Sequence, residues 1–256
     1  MPGVTLGDMT TTALITGANK GIGYETARRL AARGMTVIVG ARDPGLGQAA
    51  AGKLQAEGAD AHFVRLDVTD EDSIEQAAAW IGEEFGSLDI LINNAGIAGD
   101  RGDAWTPSAT TLPALRKIYE TNVFGVVAVT NALLPLLRRA EAARIVNVSS
   151  EVGSLTGMTD QNNPLWPMAA ISYPSSKTAL NMVTVMYAKE LWDTGIKVNA
   201  ANPGYCATDL NGNTGFRSAE QGAEPSVHLA TLPADGPTGQ LWGYLWGQDA
   251  YGRLDW

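Results

Sequence analysis

The feature that most constrains the fold of this chain is an unbroken alternation. Short apolar runs rich in Val, Ile and Leu stand at residues 13–16, 36–39, 62–66, 90–92, 144–148 and 197–201, with a weaker seventh at 240–242. Runs that are continuous in apolar residues, and this short, fit strands buried on both faces. Helical signatures fill the gaps. Residues 26–30 lie in an Ala/Arg-rich stretch, and residues 72–85 place Ile74, Ala77, Ala78 and Ile81 at helical spacing. Residues 112–139 are long enough for a helix of many turns, and 173–192 form another, with Gly195 as the expected C-terminal cap. Strand and helix in succession predict a parallel sheet covered by helices on both faces, because each crossover must return over the sheet. No linker interrupts the pattern, so one α/β domain with a seven-stranded sheet is expected over residues 1–256.

Composition narrows the partners. The chain has 256 residues, 45% of them apolar, enough to bury a full core. Its 18 Lys and Arg against 27 Asp and Glu leave a net charge of −9, which argues against a protein that tracks nucleic acid or an anionic membrane. Any anion it binds must be caught locally. Cys206 is the lone cysteine, so no intrachain disulfide forms, and with His62 and His228 it matches no metal-ligand spacing; no metal is expected. The first residues lack the basic region of a secretory signal, and apolar runs such as 123–129 are much shorter than the roughly 20 residues that span a bilayer. A cytoplasmic protein is expected.

In parallel sheets of this kind, ligands gather at the carboxyl ends of the strands near the switch in strand order. The first run ends there in TGANKGIG, residues 16–23. Gly17 permits a tight turn, Gly21 lets the backbone approach a pyrophosphate, and Gly23 lets the following helix pack closely. The helix N-terminus adds oriented N–H groups and partial positive charge. Taken alone, the cluster also fits a plain structural turn.

The spacing TGxxxGxG is followed in order by NNAG at 93–96, Asn122 in the long helical stretch, VNVSS ending at Ser150, YPSSK at 173–177 and NPGYCAT at 202–208. With these motifs the chain resembles the short-chain dehydrogenase/reductase family from Thr11 onward, which implies a Rossmann-type NADP-binding domain. The resemblance places Gly17, Asn19, Lys20, Gly21, Ile22, Gly23, Asn94, Ala95 and Gly96 along the cofactor. Asp67 and Val68 match the positions flanking adenine, although Asp67 also reads as another helix cap beside Asp70 and Asp72. Pro203, Gly204 and Thr208 match the nicotinamide side.

The choice of cofactor turns on residues 41–43. Asp43 has nearly the spacing of a carboxylate that binds the ribose of NAD, but Pro44 follows it, so Asp43 is expected to cap the next helix. The family's acidic position is occupied by Ala41. Arg42 beside it can pair with a 2′-phosphate, and Lys20 adds a second cation; alone, Arg42 reads equally well as a solvated surface residue. Together they favour NADPH and NADP+.

Carbonyl chemistry needs a proton donor. Tyr173 and Lys177 are four apart, on one face of a helix, where an ammonium is expected to lower the tyrosine pKa from about 10. Pro174 sets the helix start at this point. By resemblance, Ser150 holds the substrate oxygen, Tyr173 transfers the proton, Lys177 binds the nicotinamide ribose and tunes Tyr173, and Asn122 completes a water relay. Ser149 competes with Ser150 and ranks lower because the family's serine is the second of the pair.

Ser150 and Tyr173 stand 23 residues apart, wider than is common in the family. The extra length, residues 152–171, carries Met158, Leu165, Trp166 and Met168 and is expected either to wall an apolar substrate pocket or to pack on the surface. Such an insertion, with NKGIG at 19–23, ARD at 41–43 and LATLPADGPTGQLW at 229–242, looks most like the carbonyl-reductase branch. Loops at 99–107 and 205–225 are expected to build the rest of the pocket. Trp242, Tyr244, Trp246, Tyr251 and Trp256 read as core, as a lid or as a subunit contact, and both a monomer and a homo-oligomer stay open. Cys206 reads as an inert small residue. The expected function is NADPH-dependent reduction of ketones or aldehydes, reversible to secondary alcohols. Two rivals stand beside it: a non-catalytic NADP sensor, and an alcohol dehydrogenase preferring NAD.

Overall fold

The apolar runs become β1 (Thr12–Thr16), β2 (Thr36–Ala41), β3 (Ala61–Arg65), β4 (Ile90–Asn93), β5 (Arg144–Val148), β6 (Lys197–Asn202) and β7 (Leu241–Leu245), joined by β8 (Ala250–Leu254). The computed structural model describes residues 11–99 and 106–256 and orders the sheet β3-β2-β1-β4-β5-β6-β7-β8. Strands β1 to β7 pair in parallel, and β8 returns antiparallel to β7 with Tyr244 opposite Tyr251. The eighth strand corrects the seven expected. At the sheet edge it exposes alternate residues, so it carries no continuous apolar run to betray it.

The helices are α1 (Gly21–Ala31), α2 (Pro44–Ala56), α3 (Glu71–Phe85), α4 (Leu112–Tyr119), α5 (Gly125–Leu137), α6 (Leu155–Thr159), α7 (Ser172–Glu190) and α8 (Ala219–Ala230). Ala27 and Leu30 of α1, Leu54 of α2 and Val227 of α8 share one core cluster. Ile74 and Ile81 of α3, Leu133 and Leu137 of α5 and Ala188 of α7 share the other. Every residue of β1, β2, β4 and β5 is buried, as strands between two such layers must be.

Three boundaries differ from expectation. The 112–139 stretch is two helices joined by a π-turn at Glu120–Phe124, a geometry that recurs at functional sites. The rod Leu112–Leu137 is long and apolar enough to cross a bilayer by length and composition, which the separate runs did not reveal; here Val129, Leu133 and Leu137 of it are buried in the core. Gly195 does not cap α7, which ends at Glu190 with Leu191 as its cap. A Cβ at Gly195 would come within 2.7 Å of the Glu141 carbonyl, so close packing accounts for that glycine. The loop expected at 205–225 ends at Ser218, where a reciprocal cap with Gln221 starts α8.

Candidate active site

The carboxyl ends of β1, β4, β5 and β6 lie side by side around the switch in strand order and present the four motifs to one cleft. Gly17 and Gly21 have φ of +64° and +58°, the left-handed region that glycine enters without strain. A Cβ at Gly23 would lie 2.4 Å from Asn94 Nδ2 and 2.7 Å from the Gly17 carbonyl. Asn94 explains that closeness: its Nδ2 donates to the Thr16 carbonyl at 2.9 Å and the Gly17 carbonyl at 3.2 Å, while the N–H groups of Asn94 and Ala95 donate to Thr16 Oγ1 at 3.0 and 2.9 Å. The side chain of Asn94 therefore buttresses the glycine turn. Helix α1 then begins with no side-chain cap at Lys20 and no acid in its first turn, which leaves the N–H groups of Gly21, Ile22 and Gly23 without intrahelical partners. Asn19 and Ile22 are half-buried on this turn, and Gly96 faces Asn122 and Lys177.

Beyond β2, Asp43 caps α2 by accepting from the Leu46 N–H at 2.9 Å, with Pro44 in the first turn. Arg42, at the end of β2, is exposed and has no ion-pair partner among the described residues. Lys20 is different. Its Nζ is paired with Asp209 Oδ2 at 2.6 Å, and both side chains are more than 60% exposed, so the expected second phosphate cation is engaged across the cleft by the loop after β6. Asp67 Oδ1 accepts from the N–H and hydroxyl of Thr69, which organises the turn before α3, and Val68 is buried against Gly125.

The two serines part company. Ser149 is buried and its hydroxyl donates to Asn181 Oδ1 at 2.6 Å. Ser150 is half-buried, its hydroxyl accepts from the Val152 N–H at 3.4 Å, and it is near enough to the Tyr173 phenol to pull that group's pKa down. Tyr173 stands in the first turn of α7 with Pro174, and the Lys177 ammonium lies 5.5 Å from the centre of its ring. Lys177 is buried, and Nζ donates to the Val148 carbonyl at 2.8 Å. Asn122 sits in the π-turn, buried: Oδ1 accepts from the Ile97 N–H at 2.9 Å, and Nδ2 donates to the Ile97 carbonyl at 2.9 Å and to Ser176 Oγ at 3.1 Å.

Electrostatics corrects one expectation. Lys177 was expected to lower the Tyr173 pKa; instead burial dominates, pushing Tyr173 up to about 12 against the opposing pull of the nearby Ser150 hydroxyl. The same burial brings Lys177 down to about 8. Glu151, directly after Ser150, was not foreseen. Burial raises it to about 7, opposed by the nearby backbone of Trp246 and by the charge of Arg217.

In the loop after β6, Asn202 Oδ1 accepts from the Glu151 N–H at 3.1 Å and the Gly204 N–H at 3.2 Å, while its Nδ2 donates to the Tyr244 carbonyl at 2.7 Å. Its place next to Pro203 was the only sequence signal for this role. Thr208 caps a short 3₁₀ turn at Asp209–Asn211, and Cys206 is buried with its thiol pushed up by burial. Trp242, Tyr244, Trp246 and Tyr251 lie in the β7–β8 hairpin, and Trp256 follows it. Tyr244 is core, and Phe216, Tyr244, Trp246, Gly247 and Asp249 line a shallow cavity of about 360 Å³. The insertion folds into α6 and turns, buries Leu165, exposes Leu155 and Trp166, and ties Thr156 to the Trp256 carbonyl at 2.8 and 3.1 Å. Of the third pocket loop, 99–107, residues 100–105 lie outside the described residues.

The family model for short chain dehydrogenases matches residues 11–218. The short-chain dehydrogenase anuI of Penicillium roqueforti is 39% identical over 240 residues, covering 91% of this chain and 92% of that protein. Salutaridine reductase from Papaver somniferum superimposes with a TM-score of 0.79 at 31% identity, covering 91% of this chain and 99% of that one. The NADPH-bound carbonyl reductase from chicken fatty liver gives the same TM-score and identity, covering 91% and 96%. With the family model matched over residues 11–218 and a relative 39% identical over 91% of it, the chain belongs to the short-chain dehydrogenase family.

Proposed function

We propose that this chain reduces apolar ketones and aldehydes with NADPH, reversibly toward secondary alcohols. As a short-chain dehydrogenase with an NADP(H)-binding fold it acts on carbonyl and alcohol groups. The observation that carries the reductive reading is the state of Tyr173. A phenol beside Ser150 whose pKa burial holds at about 12 keeps its proton at neutral pH, so it enters the reaction as the proton donor and not as the base.

The residues present fit the cofactor. The uncapped start of α1 offers three N–H groups to a pyrophosphate, the glycine turn has no side chain to keep it away, and Arg42, without an ion-pair partner among the described residues, follows β2 with Ala41 at the family's acidic position and the neighbouring Asp43 engaged in capping α2. Lys20 reaches that phosphate only by leaving Asp209, so Arg42 carries the preference for NADPH. Bound NADPH supplies the hydride.

The chain's own groups do the rest. Ser150 holds the carbonyl oxygen, and Tyr173 gives that oxygen its phenolic proton as negative charge develops. Lys177 is mostly protonated at pH 7, since about 8 lies above it; one of its three N–H groups is committed to Val148, which leaves two for the ribose and for the phenolate. Asn122, tied to Ile97 and Ser176, lies on the path by which the proton is replaced from solvent. Pro203, Gly204 and Thr208 bound the nicotinamide side, and Asp67 and Val68 the adenine. The insertion and the cavity at Phe216 and Trp246 favour an apolar substrate. The same reading takes the chain as one catalytic domain acting in the cytoplasm, without metal, nucleic acid or membrane.

Replacing Tyr173 with Phe tests this. Carbonyl-dependent NADPH oxidation should fall by about 10²-fold or more while NADPH binding survives. A wild-type protein that binds NADPH but oxidises none of it across a broad carbonyl panel would reverse the conclusion in favour of a sensor.

A further inference from the structure

We infer that Arg217 is a positioning residue for the nicotinamide half of the cofactor site, gripping the turn at Pro203 and Gly204 from behind with a buried guanidinium. The inference rests on the NADPH reading above.

Arg217 is only 6% exposed, and an arginine stays charged, so the fold must satisfy that cation where it lies. It does so with the turn itself. Nε donates to the Pro203 carbonyl at 3.1 Å, and the second terminal nitrogen donates to the Gln221 carbonyl at 3.0 Å and to the Tyr251 hydroxyl. The guanidinium lies 3.8 Å from the centre of the Tyr244 ring and 5.3 Å from that of Tyr251, in cation–π contact with both strands of the hairpin. Among the described residues no carboxylate lies within ion-pair distance of it; Glu151, next to Ser150, is an acid that feels its charge.

The backbone of Arg217 completes the grip. Its N–H donates to the Tyr205 carbonyl at 3.2 Å, and its carbonyl accepts from the Ala207 N–H at 2.8 Å, so residue 217 holds 203, 205 and 207 together. Gly204 is pressed onto this assembly: at φ +74°, a Cβ there would lie 2.7 Å from Tyr244 Cδ1 and 2.9 Å from Arg217 Cδ. Asn202 takes the Gly204 N–H on the other side. The turn is thus held by its carbonyl through Arg217 and by its N–H through Asn202. A lysine supplies the charge but not a planar fork that reaches β8, α8 and Pro203 at once.

Two ligands separate positioning from general stability. NADPH reaches Pro203 and Gly204, whereas adenosine 2′,5′-bisphosphate ends at the glycine turn and Arg42. For Arg217→Gln, NADPH affinity read by its fluorescence should weaken about tenfold, while the inhibition constant of the bisphosphate stays within about twofold; Arg217→Lys should fall between Gln and wild type. Equal weakening of both ligands, or no change in either, overturns the inference. If Arg217→Gln does not fold, Tyr251→Phe removes one partner of the fork and should shift NADPH alone, by a smaller factor; an equal shift in both ligands, or none, again overturns it. A wild-type protein that fails to bind NADPH would instead overturn the functional reading itself.

Discussion

Replacing Lys177 with Met should abolish activity and make the protein more stable. Lys177 is 5% exposed, and the Val148 carbonyl at 2.8 Å is its one hydrogen-bond acceptor among the described residues. Burial lowers its pKa from 10.5 to about 8, which corresponds to about 3 kcal/mol of destabilisation at any pH where both folded and unfolded chains carry the proton. Methionine fills much the same volume, but leaves the Val148 carbonyl unpaired at a cost of about 1 kcal/mol. The net gain is about 2 kcal/mol at pH 7. Its pH dependence has a definite sign. Below about pH 8 the folded and unfolded states both bind the proton and the wild type bears the full penalty. Between about 8 and 10.5 the unfolded chain still binds it while the folded one has released it, so wild-type stability rises with pH relative to the variant. Urea unfolding of both proteins at pH 7, 8, 9 and 10 reads the difference, in which the other lysines and tyrosines cancel. A variant less stable than wild type at pH 7, with a gap that stays flat to pH 10, would refute the argument that this site stores strain as a buried charge.

Other perturbations probe the rest of the cleft. Gly23→Ala forces a methyl to within 2.4 Å of Asn94 Nδ2, so thermal unfolding should show a loss of about 2 kcal/mol, and NADPH titration a drop of at least tenfold, because Asn94 must release the glycine turn. Arg42→Ala should raise the KM for NADPH about tenfold at low salt, less at high salt, and leave the KM for NADH unchanged; equal effects on both cofactors would remove Arg42 from the phosphate site. Replacing residues 155–168 by a short Gly/Ser linker should alter the ratio of kcat/KM between bulky and small ketones at nearly constant NADPH affinity. Loss of both together would assign the insertion to packing alone.

The order of the first seven strands and the motifs at their carboxyl ends were legible in the residues themselves. Continuous Val/Ile/Leu runs mark doubly buried strands, and TGANKGIG marks a turn that only glycines can make; both are local, steric properties of short segments. The capping role of Asp43 was readable for the same reason, since Pro44 beside it allows little else. The rest depended on what long-range folding brings near. Ser149 and Ser150 are identical in chemistry, and only the approach of Asn181 and Tyr173 from α7 tells them apart. The ion pair of Lys20 was not readable, because Asp209 is brought to it by the loop after β6. Strand β8 has no apolar run because it lies at an edge, and Arg217 has no motif because its partners come from three separate segments, the turn at Pro203, the start of α8 and β8. Even the direction of the Tyr173 pKa was not a property of its spacing from Lys177, because desolvation is set by everything that packs around a group and only the tertiary structure decides that.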